Sequence, residues 1–334
     1  VKFFNDELVF DEEVMKDVER IFKSRNVYMP ESNKEQAMIP KNAEVIRNKN
    51  GTAPGMWYEK DNKVVVSLPG VPYEMKSMME DFVLPKLKEK FREKIDYVLK
   101  FRTILTTGIG ESTLYEKVGD LKEILNGGKI AYLPSVSGVR LRVETRAKTE
   151  HEAKQFLDKV EKEIRDRAGD FVYGVDDEKI EKILGEKLNG LKLKLSVAES
   201  LTGGMISSTI VNIPGSSDYY QGGACTYSNE AKMVVLGVKK ETLEKYGAVS
   251  EQTAIEMAEG VRKRFDADVS ISTTGIAGPT GGTPEKRVGL VWIGYSDKDK
   301  TYAQRFHFGD DRMRNIERST MRAMDILLKE LKKR

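Results

Sequence analysis

Imidazole and thiol are the scarcest functional groups in this chain: two His (His151 and His307) and one Cys (Cys225) in 334 residues. One cysteine cannot form an internal disulfide, and no CxxC or zinc-knuckle spacing is present. The two histidines form no HExxH helix, and a Ser-His-Asp triad would have to use one of them. A reducing cytoplasm is the expected home. An excess of charge of one sign is also missing: 56 Lys+Arg stand against 53 Asp+Glu, a net +3 with the signs interspersed. That is no nucleic-acid footprint, although a local patch is compatible with it. No apolar run approaches the ~20 residues of a membrane span. The opening VKFFNDELVF is too acidic and too short for a signal peptide. GxxxxGK[ST], GxSxG, GxGxxG and SxxK are all absent.

What is present suffices for packed domains. Hydrophobic residues make up 39%, which argues against wholesale disorder, and the length suggests two or three domains. Val14, Val18, Ile21 and Phe22 recur at helical spacing behind Asp11, the expected cap. KVVVSLPGVPYEM reads as a buried strand, Val64–Ser67, then a Pro/Gly turn and a helix, and GTAPG (Gly51–Gly55) as a turn. Residues 97–174 read as a separate small α+β unit. It has a strand LKFRTILTT and a helix capped by Ser112 with the stripe Leu114, Val118, Leu121 and Leu125. A strand follows in which Val139, Leu141 and Val143 alternate with Arg140, Arg142 and Glu144. Thr149 and Glu152 then form a capping box. From Asp176 a helix (Ile180, Ile183, Leu184, Leu188) leads into alternating Leu191, Leu193, Leu195 and Val197. Strands and helices then alternate to the C-terminus, as in one α/β domain.

Three loops of that last domain offer chemistry. AESLTGG, Ala198–Gly204, ends a strand and opens a helix, where unpaired N–H groups point outward. Ser200 and Thr202 bring hydroxyls there, and Gly203 and Gly204 permit close approach to the backbone; a capped helix on a tight turn explains the same residues. In CTYSNEAK, Asn229 is a good N-cap, which sets Lys232 at the positive end of a helix dipole. Partial burial there would lower its pKa and make it a usable base; an edge tyrosine with a solvated lysine is the plainer alternative. Glu199 and Glu230 flank these loops and could orient the lysine. STTGIAGPTGG, Ser272–Gly282, holds more glycine than core packing needs, as an anion nest or oxyanion hole would. Cys225 reads as strand packing.

Taken together, SVAESLTGG, TYSNEAK, GAVSEQTA, STTGIAGPTGGTPEKRVG and the arginine-bearing GDDRMR resemble the CinA competence/damage-inducible family over about Asp176–Arg334. NGTAPG, LPGVPYEM and FRTILTTGIGES resemble that family's upstream domains. The resemblance implies an α/β fold in three parts. Residues 1–96 would be a partial α/β molybdopterin-binding-like domain and residues 97–174 a small α+β KH-like domain. Residues 175–334 would be a three-layer α/β nicotinamide-nucleotide amidohydrolase domain. The implied reaction turns nicotinamide mononucleotide, of the pyridine nucleotide cycle, into nicotinate mononucleotide and ammonia.

The same resemblance makes Ser200 the nucleophile, with Tyr227 and Lys232 activating it. It places Glu199, Thr202, Gly203, Gly204, Thr274, Gly275, Ile276, Ala277 and Gly278 around the substrate. Arg312, Arg314 and Arg318 are candidates for its phosphate. Gly51, Thr52, Gly55, Pro69, Gly70 and Glu74 are candidate ligand loops of the first domain. No metal or cofactor is implied for the amidohydrolase. A divalent metal and K⁺ would serve the first domain only if it were complete, with ADP-ribose pyrophosphatase activity as the consequence. The GGLGP-type loop and acidic pair of that domain are not in the sequence, and the chain starts at Val1, so a missing upstream half is expected. No GxxG lies between Tyr97 and Gly174, so the KH resemblance implies the fold and not RNA binding. The expected partner is a small pyridine nucleotide, with no nucleic acid, no membrane and a homodimer or larger assembly. A module that binds the nucleotide without turnover is the alternative.

Overall fold

In this computed structural model, residues 4–92, 96–136 and 138–334 are described. They divide into two compact units along the chain, Val1–Asp96 and Tyr97–Arg334. The first holds β1 (Leu8–Phe10), α1 (Glu12–Ser24), β2 (Met38–Pro40), β3 (Glu44–Ile46), β4 (Gly55–Lys60), β5 (Lys63–Ser67), α2 (Pro72–Met78) and α3 (Leu84–Lys90). Strands β1 and β2 pair antiparallel, and β3-β4-β5 form a second antiparallel sheet. Asp11 caps α1 as expected, accepting from the Val14 N–H at 2.9 Å, and Val14, Val18 and Ile21 are buried. Strand β5 differs from expectation. It is an edge strand with Val64 and Val66 half-buried on one face and Val65 exposed on the other, and so is not buried throughout.

The second unit begins with β6 (Val98–Thr106), α4 (Glu111–Val118), α5 (Lys122–Leu125), β7 (Lys129–Pro134), β8 (Val139–Ala147), α6 (Glu150–Ala168) and β9 (Val172–Val175). Its antiparallel sheet runs β7-β8-β6-β9. Ile104, Leu141 and Val143 form its core with Leu157, Val160 and Ile164 of α6. Three local expectations change here. Gly110, not Ser112, is the N-cap of α4. Gly119, at φ +64°, ends that helix, so Leu121 and Leu125 leave its stripe. Thr149 accepts from the Glu152 N–H, but the Glu152 carboxylate reaches the Lys148 N–H, one residue before the box position.

The rest of this unit is a three-layer α/β sandwich. It comprises α7 (Ile180–Leu191), β10 (Leu195–Glu199), α8 (Met205–Val211), β11 (Tyr220–Cys225), α9 (Asn229–Leu236), α10 (Lys240–Tyr246), α11 (Glu251–Arg264), β12 (Val269–Gly275), β13 (Leu290–Ser296), β14 (Thr301–His307) and α12 (Arg312–Lys332). The sheet order is β11-β10-β12-β13-β14, with β10 parallel to both its neighbours and the other pairs antiparallel. Leu195, Val197, Val269 and Ile271 face α7, α8 and α12; Ala198 faces α9 and α11. Strand β10 is therefore buried on both faces. Leu191 belongs to α7 and Lys192 is left-handed beyond it, so the expected run of alternation from Leu191 to Val197 does not form. Among the described residues no helix is long and apolar enough to cross a membrane.

Close approach of α11 sets the second layer. Ser270 and Ser272 on β12 donate to the Ala258 and Ala254 carbonyls of α11, each at 2.6 Å. On its other side α11 meets α9 at Gly260, where a Cβ would sit 1.9 Å from the Leu236 carbonyl oxygen. Backbone cannot yield there as a flexible side chain would. Gly260→Ala is expected to destabilise this domain by about 1–3 kcal/mol through overpacking. A lowered midpoint in urea denaturation checks it, and a wild-type midpoint would contradict the close contact.

Candidate active site

The three chemistry-bearing loops follow the carboxyl ends of β10, β11 and β12, the three parallel strands. The chain leaves β10 toward β11 and leaves β12 toward β13, so a crevice opens between β10 and β12. Glu199, the last residue of β10, is fully buried. Its carboxylate accepts from the N–H groups of Gly204 (2.9 Å), Ile206 (3.0 Å) and Ser207 (2.9 Å), and from the Ser207 hydroxyl (2.7 Å). It thus satisfies the open donors at the start of α8. The Ser200 N–H donates to the Thr273 carbonyl at 3.0 Å, and the Thr202 and Thr273 hydroxyls are 2.8 Å apart. Gly203 and Gly204 both have positive φ, +60° and +98°, and the chain turns through them into α8.

Ser228, not Asn229, caps α9; its hydroxyl accepts from the Ala231 N–H at 3.0 Å. Lys232 remains in the first turn of that helix and is 1% exposed. Its Nζ lies 2.8 Å from the Thr226 carbonyl, 3.3 Å from the Tyr227 carbonyl and 3.1 Å from Ser200 Oγ. Burial pushes its pKa below the ordinary lysine value of 10.5, with a smaller opposing contribution from Cys225. Nζ is thus held by three oxygens, two of them backbone carbonyls and the third the Ser200 hydroxyl.

Ser200, Lys232, Thr274, Gly275, Ala277 and Arg312 line a cavity of about 160 Å³, with Tyr227 at its edge. Tyr227 is 65% exposed, and its hydroxyl meets Arg312 Nη2 at 3.2 Å. Lys232 touches only the backbone of Tyr227, so the expected phenol–lysine pair does not form.

Several further expectations are corrected. Neither Glu199 nor Glu230 orients Lys232: the first serves α8 and the second is exposed. Gly203 and Gly204 offer no free donors, because their N–H groups reach the Ser200 carbonyl and Glu199. Thr202 turns inward to Thr273, and Thr274 donates to the Ala248 carbonyl. In the loop after β12 the Ile276 N–H donates to the Leu290 carbonyl, and the Ala277 and Gly278 carbonyls accept from Asn315 and Arg312. Of the three arginines only Arg312 reaches this cavity; Arg314 is exposed and Arg318 lines another. Cys225 is exposed on edge strand β11, not packed. His151 and His307 are exposed on α6 and at the end of β14.

Asn315 escaped the sequence reading. It is fully buried, with its amide nitrogen on the Ala277 and Gly309 carbonyls and its oxygen on the Gly309 N–H. An amide on the core side of an amphipathic helix was the available signal.

In the first unit, Glu74 is buried over Gly51, where a Cβ would sit 2.2 Å from its Oε2. Its carboxylate accepts from Asn48 at 2.7 Å, and Asn48 also holds the Gly51 N–H and the Ala53 carbonyl. Gly55 is buried at the start of β4; Thr52 and Pro69 are half-buried, and Gly70 stands in open space. Among the described residues no three His, Cys, Asp or Glu side chains cluster as a metal site.

Family comparison agrees with this architecture. The CinA C-terminal domain matches residues 177–331, the damage-inducible protein CinA KH domain residues 101–174, and a probable molybdopterin binding domain residues 1–89. A competence-damage inducible protein of Caldicellulosiruptor saccharolyticus is 43% identical over 331 residues, covering 99% of this chain and 79% of that protein. The chain belongs to the CinA family. The Clostridium beijerinckii member is 46% identical over 326 residues, covering 98% and 78% of the two chains. A crystal structure of the competence/damage inducible protein CihA from Agrobacterium tumefaciens is 37% identical, covers 46% of this chain and 93% of its own, and has a TM-score of 0.45.

The depressed Lys232 has a thermodynamic signature in this CinA chain. Between its folded pKa and the unfolded value near 10.5, the unfolded chain binds more protons, so stability rises with pH across that window. Lys232→Met lacks this contribution. Urea denaturation from neutral pH to about 10.5 is expected to show wild type gaining on the variant as pH rises. A difference that stays constant would mean that Lys232 keeps an ordinary pKa.

Proposed function

We propose that the Ser200–Lys232 cavity hydrolyses the carboxamide of nicotinamide mononucleotide to nicotinate mononucleotide and ammonia. The observation that carries this reading is the 3.1 Å contact between Lys232 Nζ and Ser200 Oγ, with the lysine shielded from water. A serine hydroxyl is a weak nucleophile until a base takes its proton. Neutral Lys232 accepts that proton as Oγ attacks the carboxamide carbon. The resulting ammonium returns a proton to the amide nitrogen, the C–N bond breaks and ammonia leaves. Water then attacks the Ser200 ester, again with Lys232 as base, and the carboxylate product departs with the serine hydroxyl restored.

The tetrahedral oxyanion needs donors, worth roughly 3 kcal/mol each in comparable sites. The Leu201 N–H, next to the nucleophile, has no partner among the described residues and is the assigned donor. A volume of about 160 Å³ takes a ring and not a whole mononucleotide. The ribose phosphate therefore extends to the exposed rim, where the Arg312 guanidinium, anchored by the Gly278 carbonyl and the Tyr227 hydroxyl, presents its remaining N–H groups. Tyr227 acts there as a positioning residue through its hydroxyl on Arg312.

Ser200→Ala is expected to abolish ammonia release, and Lys232→Met to lower kcat by about 10²–10⁴. Tyr227→Phe should raise KM more than it lowers kcat. An ammonia assay on nicotinamide mononucleotide reads all three, and wild-type turnover by Ser200→Ala would sink the assignment. Binding without any ammonia from the wild-type chain would favour a non-catalytic nucleotide module. The kcat/KM profile should rise with pH through the depressed Lys232 pKa, below the usual 10.5.

A further inference from the structure

Arg318 and the Gly-rich segment after β6 have no part in the Ser200 cavity. They meet in another one, of about 600 Å³, within the unit that starts at Tyr97. Its walls are the β6–α4 loop, the β7–β8 hairpin, the end of β14 and the third turn of α12. This volume is nearly four times that of the Ser200 cavity and lies in the range that holds a whole small ligand.

The lining divides into two chemistries. On one side Phe306 and Phe308 lie side by side, ring centroids 5.9 Å apart and planes 5° from parallel, next to Ile109, Val136 and Met321. On the other is Arg318, half-buried and without an ion pair or hydrogen bond among the described residues. Arg322 differs: Asp325 holds it at 2.6 Å, and it lies over the Phe306 ring. His307 adds an imidazole, and Glu111 is the one carboxylate in the lining among the described residues. A half-buried guanidinium left unpaired favours an anion with fork geometry, above all a phosphate. The parallel rings favour a flat partner.

The geometry points to a second small-molecule site here, for a phosphorylated ring compound of mononucleotide size, with the phosphate on Arg318 and the ring against Phe306 and Phe308. It is separate from the Ser200 cavity and does not depend on the activity proposed there. Both cavities share α12: Arg312 faces one and Arg318 the other.

Calorimetric titration of the full chain tests this, with adenosine monophosphate, adenosine and inorganic phosphate as probes. The monophosphate should bind saturably, and the two fragments at least tenfold more weakly. Arg318→Gln should weaken it by about tenfold or more, and Arg318→Lys should recover part of that loss, which a misfolded variant would not. Arg312→Gln should leave the affinity within about twofold, because Arg312 is absent from this lining. No saturable binding, an affinity unchanged in Arg318→Gln, or binding lost in Arg312→Gln would each overturn the assignment.

Discussion

A lysine nitrogen removed from water and set against a serine hydroxyl is the constraint around which the last domain is organised. Lys232 is almost wholly buried, yet among the described residues no carboxylate contacts its nitrogen; two backbone carbonyls and Ser200 surround it. Burying an amine is costly in its charged form and much less so in its neutral form. A carboxylate partner would hold the proton on the lysine. Carbonyls leave it free to lose it, as a base requires.

Such an arrangement needs three strand ends held in register. Glu199 satisfies four donors around the start of α8, which keeps the Ser200 turn in place. Thr273 ties that turn to β12 from two sides, through its carbonyl and its hydroxyl. Ser270 and Ser272 hold α11 against the sheet, and α11 in turn packs on α9, which carries Lys232. Many of the polar residues in these loops thus support the site rather than meet a ligand. The proposed amidase chemistry is left with few groups: Ser200, Lys232, the Leu201 N–H and Arg312.

The division of labour between the two cavities on α12 has the same character. Arg312 and Arg318 are six residues apart, and intervening Asn315 binds the loop after β12 to the segment after β14. Asn315 therefore fixes the first turns of α12 relative to the sheet. On the helix so placed, Arg312 lines one cavity and Arg318 the other.

Periodicity, end signals and motif order determined much of this protein directly from its sequence. Asp11 capped its helix, the Leu114–Val118 and Ile180–Leu188 stripes faced their cores, and the three loops were placed at strand ends where ligands bind. These features are local, and a few neighbouring residues suffice to encode them. The family followed from several motifs in one order, and the scarcity of His and Cys turned attention to Ser200 and Lys232. Side-chain direction was not legible. Ser, Thr, Glu and Arg in a Gly-rich loop look alike in sequence whether they face a ligand or their own backbone. Glu199, Thr202 and Thr274 turned inward, Tyr227 turned to Arg312 and away from Lys232, and Arg318 went to another cavity. Only tertiary structure decides this, because each partner arrives from a distant segment and the hydrogen bond forms only once both strands are packed.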